Sequence, residues 1–137
     1  MGEGRYRKWA DKLRDKHIYF LGPIVGQRLS QIYASSDVFV FPSITDTLGQ
    51  VIMEAQASGI GCIVSDIGGP QTLVVENHTG LVISANKQQE WINALYSAIT
   101  EENVIQAWSA KSREHIEQYN IEDSFTHFIE IHKMICK

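Results

Sequence analysis

The sequence predicts an α/β fold, with a Rossmann-like parallel sheet, helices on both faces of that sheet and a helical C-terminus. Two short apolar runs, "VFVF" at residues 38–41 and "CIVS" at residues 62–65, have the length and composition of strands buried on both faces. Segments with helical spacing separate these runs, and strands that alternate with helices are typical of a parallel sheet with crossover helices. Such sheets bind their ligands at the carboxyl ends of the strands.

The predicted elements begin with a charged surface helix over residues 6–16. "HIYFLG" at residues 17–22 follows as a short strand, which Gly22 and Pro23 close. A helix is predicted over residues 27–34 because its apolar side chains fall on one face, namely those of Leu29, Ile32 and Tyr33. The strand "VFVF" comes next and ends at a Pro-Ser turn.

The rest of the chain continues the same alternation. A helix is predicted over residues 49–58 with Gly59 as its C-terminal glycine, and "CIVS" follows as the second buried strand. "GGP" at residues 68–70 predicts a turn, "GLVIS" at residues 80–84 a strand, and residues 88–100 a helix. From residue 102 onward the pattern is helical only. The terminal helix, over residues 121–137, has an apolar stripe that consists of Ile121, Phe125, Phe128, Ile129, His132 and Ile135.

Composition restricts the class of protein and of partner. The 137 residues, 44% apolar and 20% charged, fit one globular domain. A net charge of -4 does not favour nucleic acid or an anionic membrane as the partner. The two cysteines, Cys62 and Cys136, do not have metal-site spacing, and we expect them to be free thiols in a reducing compartment. The five histidines do not have such spacing either, so we expect no structural metal. No apolar run reaches the about 20 residues that a membrane helix requires.

Two carboxylates in "SITDTLGQVIMEAQASG" indicate a ligand site just past the carboxyl end of "VFVF". The amides of Leu48, Gly49 and Gln50 would point out of a helix N-terminus, where phosphate oxygens bind. Glu54 lies about 7.5 Å further along the helix, which is roughly the distance from a pyrophosphate to the ribose of a nucleotide. Its carboxylate could accept hydrogen bonds from a cis-diol, while Asp46 would face a group on the distal phosphate.

A purely structural interpretation of these residues stays open at this point. Asp46 or Thr47 could cap the helix, and Glu54 could be a solvated polar position. Spacing alone does not separate this interpretation from the ligand site.

The motifs resemble a known family. "DVFVFPSITDTLGQVIMEAQASG", followed by "IVSDIGGP" and "TGLVI", is similar to the C-terminal, donor-binding domain of the group 1 retaining glycosyltransferases. These enzymes have the two-domain GT-B fold and use nucleotide sugars. "GEGRYRKW" and "YFLGPIVGQRLSQIYASSDVF" also match, so the resemblance covers nearly the whole chain.

The resemblance implies specific roles for residues of this chain. Asp46 would be the catalytic residue and contact the donor sugar, and Glu54 would bind the ribose hydroxyls. The other donor-binding residues would be Thr47, Leu48, Gly49 and Gln50 around the sugar and pyrophosphate, Val51 near the ribose, and Gly22, Pro23 and Ile24 beside the base. The resemblance further implies that the donor would be a nucleoside diphosphate sugar and that the reaction would need no obligatory metal or other cofactor.

Three residues depart from the family pattern. Asp46 stands where glutamate is usual, so its contact with the sugar would be in a different pose or through water. Gly61 stands where proline is usual, which we expect to change loop stiffness only. Thr72 replaces a frequent glutamate and would alter support near the site.

The resemblance also implies an N-terminal acceptor-binding domain and an Arg/Lys pair that neutralises the leaving pyrophosphate. Neither precedes Met1, so we expect a donor-domain fragment that is inactive alone. The full-length enzyme would act in the cytoplasm or at the cytoplasmic membrane face, in polysaccharide biosynthesis or transfer to a lipid. The terminal helix would lack its partner domain and leave an apolar face available for self-association.

Alternatives remain for the whole chain and for single residues. The chain could be a noncatalytic α/β nucleotide-binding or interaction module of the same fold, and a phosphorylase or sugar-nucleotide epimerase is a third candidate. The turn at residues 68–70 is either structural or near the donor. We expect His78 to be a turn residue, and Trp91, Trp108 and the Phe125/Phe128 pair to pack rather than to stack on sugars.

Overall fold

The computed structural model describes Lys12 and residues 17–135. It divides into two compact units, Met1–Ile32 and Tyr33–Lys137. The predicted helix over residues 6–16 lies outside the described residues, as does Cys136.

The described part of the first unit leads into helix α1, Gln27–Ala34, whose last two residues belong to the second unit. The prediction of a strand over residues 17–22 is wrong, because none of these residues forms strand structure. A strand needs a neighbouring strand for its backbone hydrogen bonds, and none of the described strands pairs with this segment. The apolar side chains of Ile18, Tyr19 and Leu21 are accordingly exposed.

The second unit contains a parallel sheet of three strands in the order β1-β2-β3, which confirms the predicted fold class. In the register, Phe39 lies opposite Cys62, and Val64 lies opposite Val82. In chain order the elements are β1 (Val38–Phe41), α2 (Gln50–Ala57), β2 (Gly61–Ser65), a 3-10 turn (Pro70–Leu73), β3 (Gly80–Ile83), α3 (Gln88–Thr100), α4 (Glu102–Ile116) and α5 (Ile121–Ile135).

Strand β2 lies at the centre of the core. Its side chains alternate between two clusters, so that Cys62 and Val64 pack with Ile52 and Ala55 of α2 while Ile63 packs with residues of α3 and α4. All five residues of β2 are buried, as predicted. The same prediction is wrong for β1, where Val40 is 36% exposed, because β1 is an edge strand of the described sheet.

Cys62 is a buried free thiol, as predicted. Burial raises the pKa of this thiol to about 12, so the group stays protonated and unreactive at neutral pH. Cys62 therefore serves packing between β2 and α2.

Trp108 of α4 explains the glycine that replaces the family's proline. Its side chain is 3% exposed in the second cluster, which confirms that it packs in the core. A Cβ atom at Gly61 would lie 2.7 Å from the Trp108 Cβ and 2.8 Å from its Cε3. The expectation that Gly61 changes loop stiffness only is therefore wrong, since the missing side chain makes room for the indole.

The terminal helix α5 has none of its side chains buried. Phe125 and Phe128 are both exposed, so they do not pack in the core of this chain. Packing on another domain stays a prediction. Among the helices of residues 17–135, none combines the length and the apolar character needed to cross a bilayer.

Candidate functional site

Helix α2 carries Glu54 and follows the loop that carries Asp46. Gly49 takes the N-cap position with a left-handed φ of 79°, a conformation that glycine adopts without steric cost. At the other end, the Gly59 and Ile60 amides donate to the Gln56 and Ala55 carbonyl oxygens, which confirms the predicted C-terminal glycine. Both ends of the helix are thus fixed.

The Asp46 carboxylate bonds within its own loop. Its Oδ1 atom accepts hydrogen bonds from the Gly49 amide at 2.7 Å and from the Leu48 amide at 3.2 Å. This arrangement is an Asx-type turn that orders the loop before the helix. It does not reach the amides of the first helical turn, so the helix-capping role considered for Asp46 is not observed. Two of the three amides assigned to phosphate are consequently held by a carboxylate, and an anion would compete with Asp46 for them.

The turn after β2 packs directly on this loop. The Gly69 amide donates to the Asp46 carbonyl oxygen at 3.1 Å, and a Cβ atom at Gly69 would lie 1.9 Å from the Thr47 carbonyl oxygen. The buried Ser65 hydroxyl donates to the Ser43 carbonyl oxygen at the start of the loop. The Gly-Gly-Pro turn therefore fixes the backbone of the loop that contains Asp46.

A third contact joins the ends of β2 and β3. Asp66 follows β2, and its Oδ1 accepts the Ala85 amide at 2.9 Å. This hydrogen bond, with a further one from the Ser84 side chain, lowers the pKa of the Asp66 carboxyl. The exits of all three strands are thus connected at the carboxyl edge of the sheet, where ligands bind in this architecture.

Glu54 is exposed on α2 and contacts Tyr33 at the end of α1. The Tyr33 hydroxyl donates to Glu54 Oε2 at 3.1 Å. Burial, together with the hydrogen bond and the negative charge of Glu54, raises the pKa of Tyr33 to about 12. Sequence reasoning placed Tyr33 on the apolar face of its helix but missed this contact, since the two residues are 21 positions apart.

We expect Glu54→Gln to lower the pKa of Tyr33 while leaving it above its ordinary value, because burial is the largest cause of the shift. Tyrosinate absorbance against pH, taken as wild type minus Tyr33→Phe, measures it. Since the pKa is raised in the folded state, the stability that Tyr33 contributes is present below pH 10.0 and lost as pH rises towards about 12. An ordinary tyrosine pKa in the wild type would contradict the contact.

The other predicted site residues are placed as follows. Thr47, Leu48 and Gln50 are exposed, and Val51, in the first turn of α2, is half-buried against the first core cluster. The predicted base-binding segment, residues 22–24, lies in the first unit. Gly22 has a φ of 69°, Pro23 is exposed and Ile24 is half-buried. His78 lies in the turn before β3, as predicted.

A parallel sheet with helices on both faces and connected loops at its carboxyl edge defines the chain as a Rossmann-like α/β protein. The chain belongs to the family of glycosyl transferases group 1, whose family model matches residues 2–126. It is 31% identical over 117 residues to the D-inositol 3-phosphate glycosyltransferase of Rhodococcus opacus, covering 85% of this chain and 26% of that protein. It therefore spans about a quarter of the length of that relative.

Two solved structures show the same fold at lower identity. Sucrose-phosphate synthase from Thermosynechococcus elongatus superposes with a TM-score of 0.82 at 23% identity, covering 96% of this chain and 33% of that one. Anabaena HepE in complex with UDP superposes with a TM-score of 0.77 at 18% identity, covering 94% and 38%.

Proposed function

We propose that the chain is the nucleotide-sugar donor-binding domain of a retaining glycosyltransferase. The full-length enzyme would transfer a sugar from a nucleoside diphosphate sugar to an acceptor such as a glycan or a lipid. Acceptor binding would belong to a separate N-terminal domain, and the enzyme would act in the cytoplasm or at the cytoplasmic face of the membrane.

One observation carries this proposal. The loop with Asp46 and the helix with Glu54 lie at the carboxyl edge of the sheet, where the turn after β2 fixes the loop backbone through Gly69. A rigid loop before a helix N-terminus is suited to bind pyrophosphate, because its amides keep their positions. Membership of the glycosyl transferases group 1 family and the UDP complex of HepE support a nucleotide sugar as the ligand.

In this site Glu54 would accept hydrogen bonds from the ribose diol, with Val51 beside the ribose. The backbone of residues 47–50 would hold the pyrophosphate and sugar, and Asp46 would contact the sugar. For the pyrophosphate to reach the Leu48 and Gly49 amides, the Asp46 carboxylate would rotate away from them. Gly22, Pro23 and Ile24 would lie beside the base.

The test is calorimetric titration of the purified chain with UDP, GDP and ADP. We expect one of them to bind, and Glu54→Ala to weaken that binding about tenfold to a hundredfold, as for a lost hydrogen bond to a charged group. Glu130→Ala is the matched control, because Glu130 is an exposed helical glutamate on α5. If none of the three binds, or if both variants lose affinity equally, the proposal fails.

Asp46→Asn separates the sugar-contacting role from the role in ordering the loop. Asparagine accepts the two loop hydrogen bonds about as well as aspartate, so stability should change by less than about 0.5 kcal/mol. If Asp46 contacts the sugar, the variant should lose affinity for UDP-glucose or another donor while keeping its affinity for the nucleoside diphosphate alone. Unchanged affinity for both ligands would favour the noncatalytic module, in which Asp46 only orders its own loop.

A further inference from the structure

We propose that Tyr33 is a positioning residue for nucleotide binding, which holds one oxygen of Glu54 so that the carboxylate faces the ribose. This inference rests on the proposed function, in which Glu54 accepts hydrogen bonds from the ribose diol.

Glu54 needs such a partner because its side chain is exposed and has several rotatable bonds. Its carboxylate loses considerable rotamer freedom on binding a ligand, and that loss weakens the binding. Within residues 33–135, the hydrogen bond described for this carboxylate is the one from the Tyr33 hydroxyl to Oε2. Tyr33 is therefore placed to order the carboxylate before any ligand arrives.

Tyr33 can fix Glu54 because Tyr33 is itself fixed. Its ring is half-buried and packs on the first core cluster, with its centroid 5.8 Å from that of Phe39 in β1. A tyrosine has only two side-chain torsions, so a packed ring leaves its hydroxyl little freedom. The position of the Tyr33 hydroxyl is thus fixed by the same core cluster against which β1 packs.

The chemistry of the pair suits a diol. The phenol is protonated at neutral pH, as even the ordinary tyrosine pKa of 10.0 ensures, and it donates to Oε2. With respect to the described residues, Oε1 keeps both of its lone pairs and Oε2 keeps one. Two adjacent hydroxyl groups of a ribose could then be accepted together by one carboxylate in a single orientation.

The experiment compares UDP with 2′-deoxy-UDP on the complete 137-residue chain. We expect Tyr33→Phe to weaken UDP binding about threefold to tenfold, and to weaken 2′-deoxy-UDP binding less than about twofold, because one hydroxyl partner of Glu54 is already absent. Tyr96→Phe is the control, since Tyr96 is an exposed tyrosine on α3. Unfolding in denaturant, measured in parallel, shows whether the variants keep the stability of the wild type.

The outcomes separate this inference from the proposed function. Equal losses for both nucleotides, or no loss for UDP, would overturn the positioning role while the Glu54→Ala result still supports the donor site. If UDP, GDP and ADP all fail to bind the wild type, the proposed function and this inference fall together. If Tyr33→Phe weakens the binding of UDP more than that of 2′-deoxy-UDP, the proposed function and the positioning role are both supported. A tyrosine with a merely structural role would not distinguish the two ligands.

Discussion

Gly69→Ala is expected to abolish detectable nucleotide binding and to lower the free energy of unfolding by about 1–3 kcal/mol, as overpacking does. The added Cβ would lie 1.9 Å from the Thr47 carbonyl oxygen and 2.9 Å from the Leu48 Cα. Both of these are backbone atoms, so no side-chain rotation relieves the contact. The loop would have to move by more than about 1 Å, and a displacement of that size is enough to spoil a positioned site.

Calorimetry with the nucleotide that binds, together with denaturant unfolding, measures both effects. The matched control is Gly26→Ala, where φ is also positive at 63° but a Cβ would meet no atom of the described residues within 4 Å. That variant should show only the cost of a left-handed alanine, about 1–2 kcal/mol, with nucleotide affinity preserved. Normal affinity in Gly69→Ala would show that the position of the loop does not matter for binding.

Trp108→Ala is expected to lower the free energy of unfolding by about 3–5 kcal/mol, the cost of removing a buried aromatic side chain. The indole fills the core between α4 and β2, where it contacts the cluster that contains Ile63, Ala94 and Ala98. Since Gly61 has no side chain at that place, it contributes no group that could fill the cavity.

Denaturant unfolding measured by circular dichroism tests this value, with Ile99→Ala as control. Ile99 is 78% exposed on α3, so its truncation should change stability by less than about 0.5 kcal/mol. Gly61→Ala should destabilise the wild type but have a smaller effect in a Trp108→Gly background. Glycine is needed there because alanine would keep the Cβ atom that lies 2.7 Å from the added methyl group. Additive effects of the two substitutions would contradict the complementarity of Gly61 and Trp108.

Local patterns predicted those features that depend on residues near each other in the chain. Helical spacing and Gly59 gave the extent of α2, and the continuous apolar run gave β2. Residues 17–22 have a strand-like composition, but a strand forms only where a partner strand pairs with it, and composition does not contain that information. The exposure of Val40 has the same origin, since an edge strand and a central strand look alike in sequence.

At the site, the sequence indicated the acids but not their partners. The Tyr33 to Glu54 hydrogen bond and the Ser65 to Ser43 hydrogen bond each join residues more than 20 positions apart. Such pairs come together only when the sheet brings separate crossovers to one edge. The sequence could have indicated Asp66 as a residue of this site, because it is the first charged residue after a buried strand, at the edge where ligands bind.

Backbone amide NMR during titration with UDP is the most direct test of the claim that the loop before α2 binds a nucleoside diphosphate. We expect the largest shifts at Leu48, Gly49 and Gln50, because the pyrophosphate would replace the Asp46 carboxylate on the first two of these amides. Smaller shifts are expected near Glu54 and Tyr33. Saturable shifts confined to α5 or to other surfaces, with these amides unchanged, would contradict the donor site.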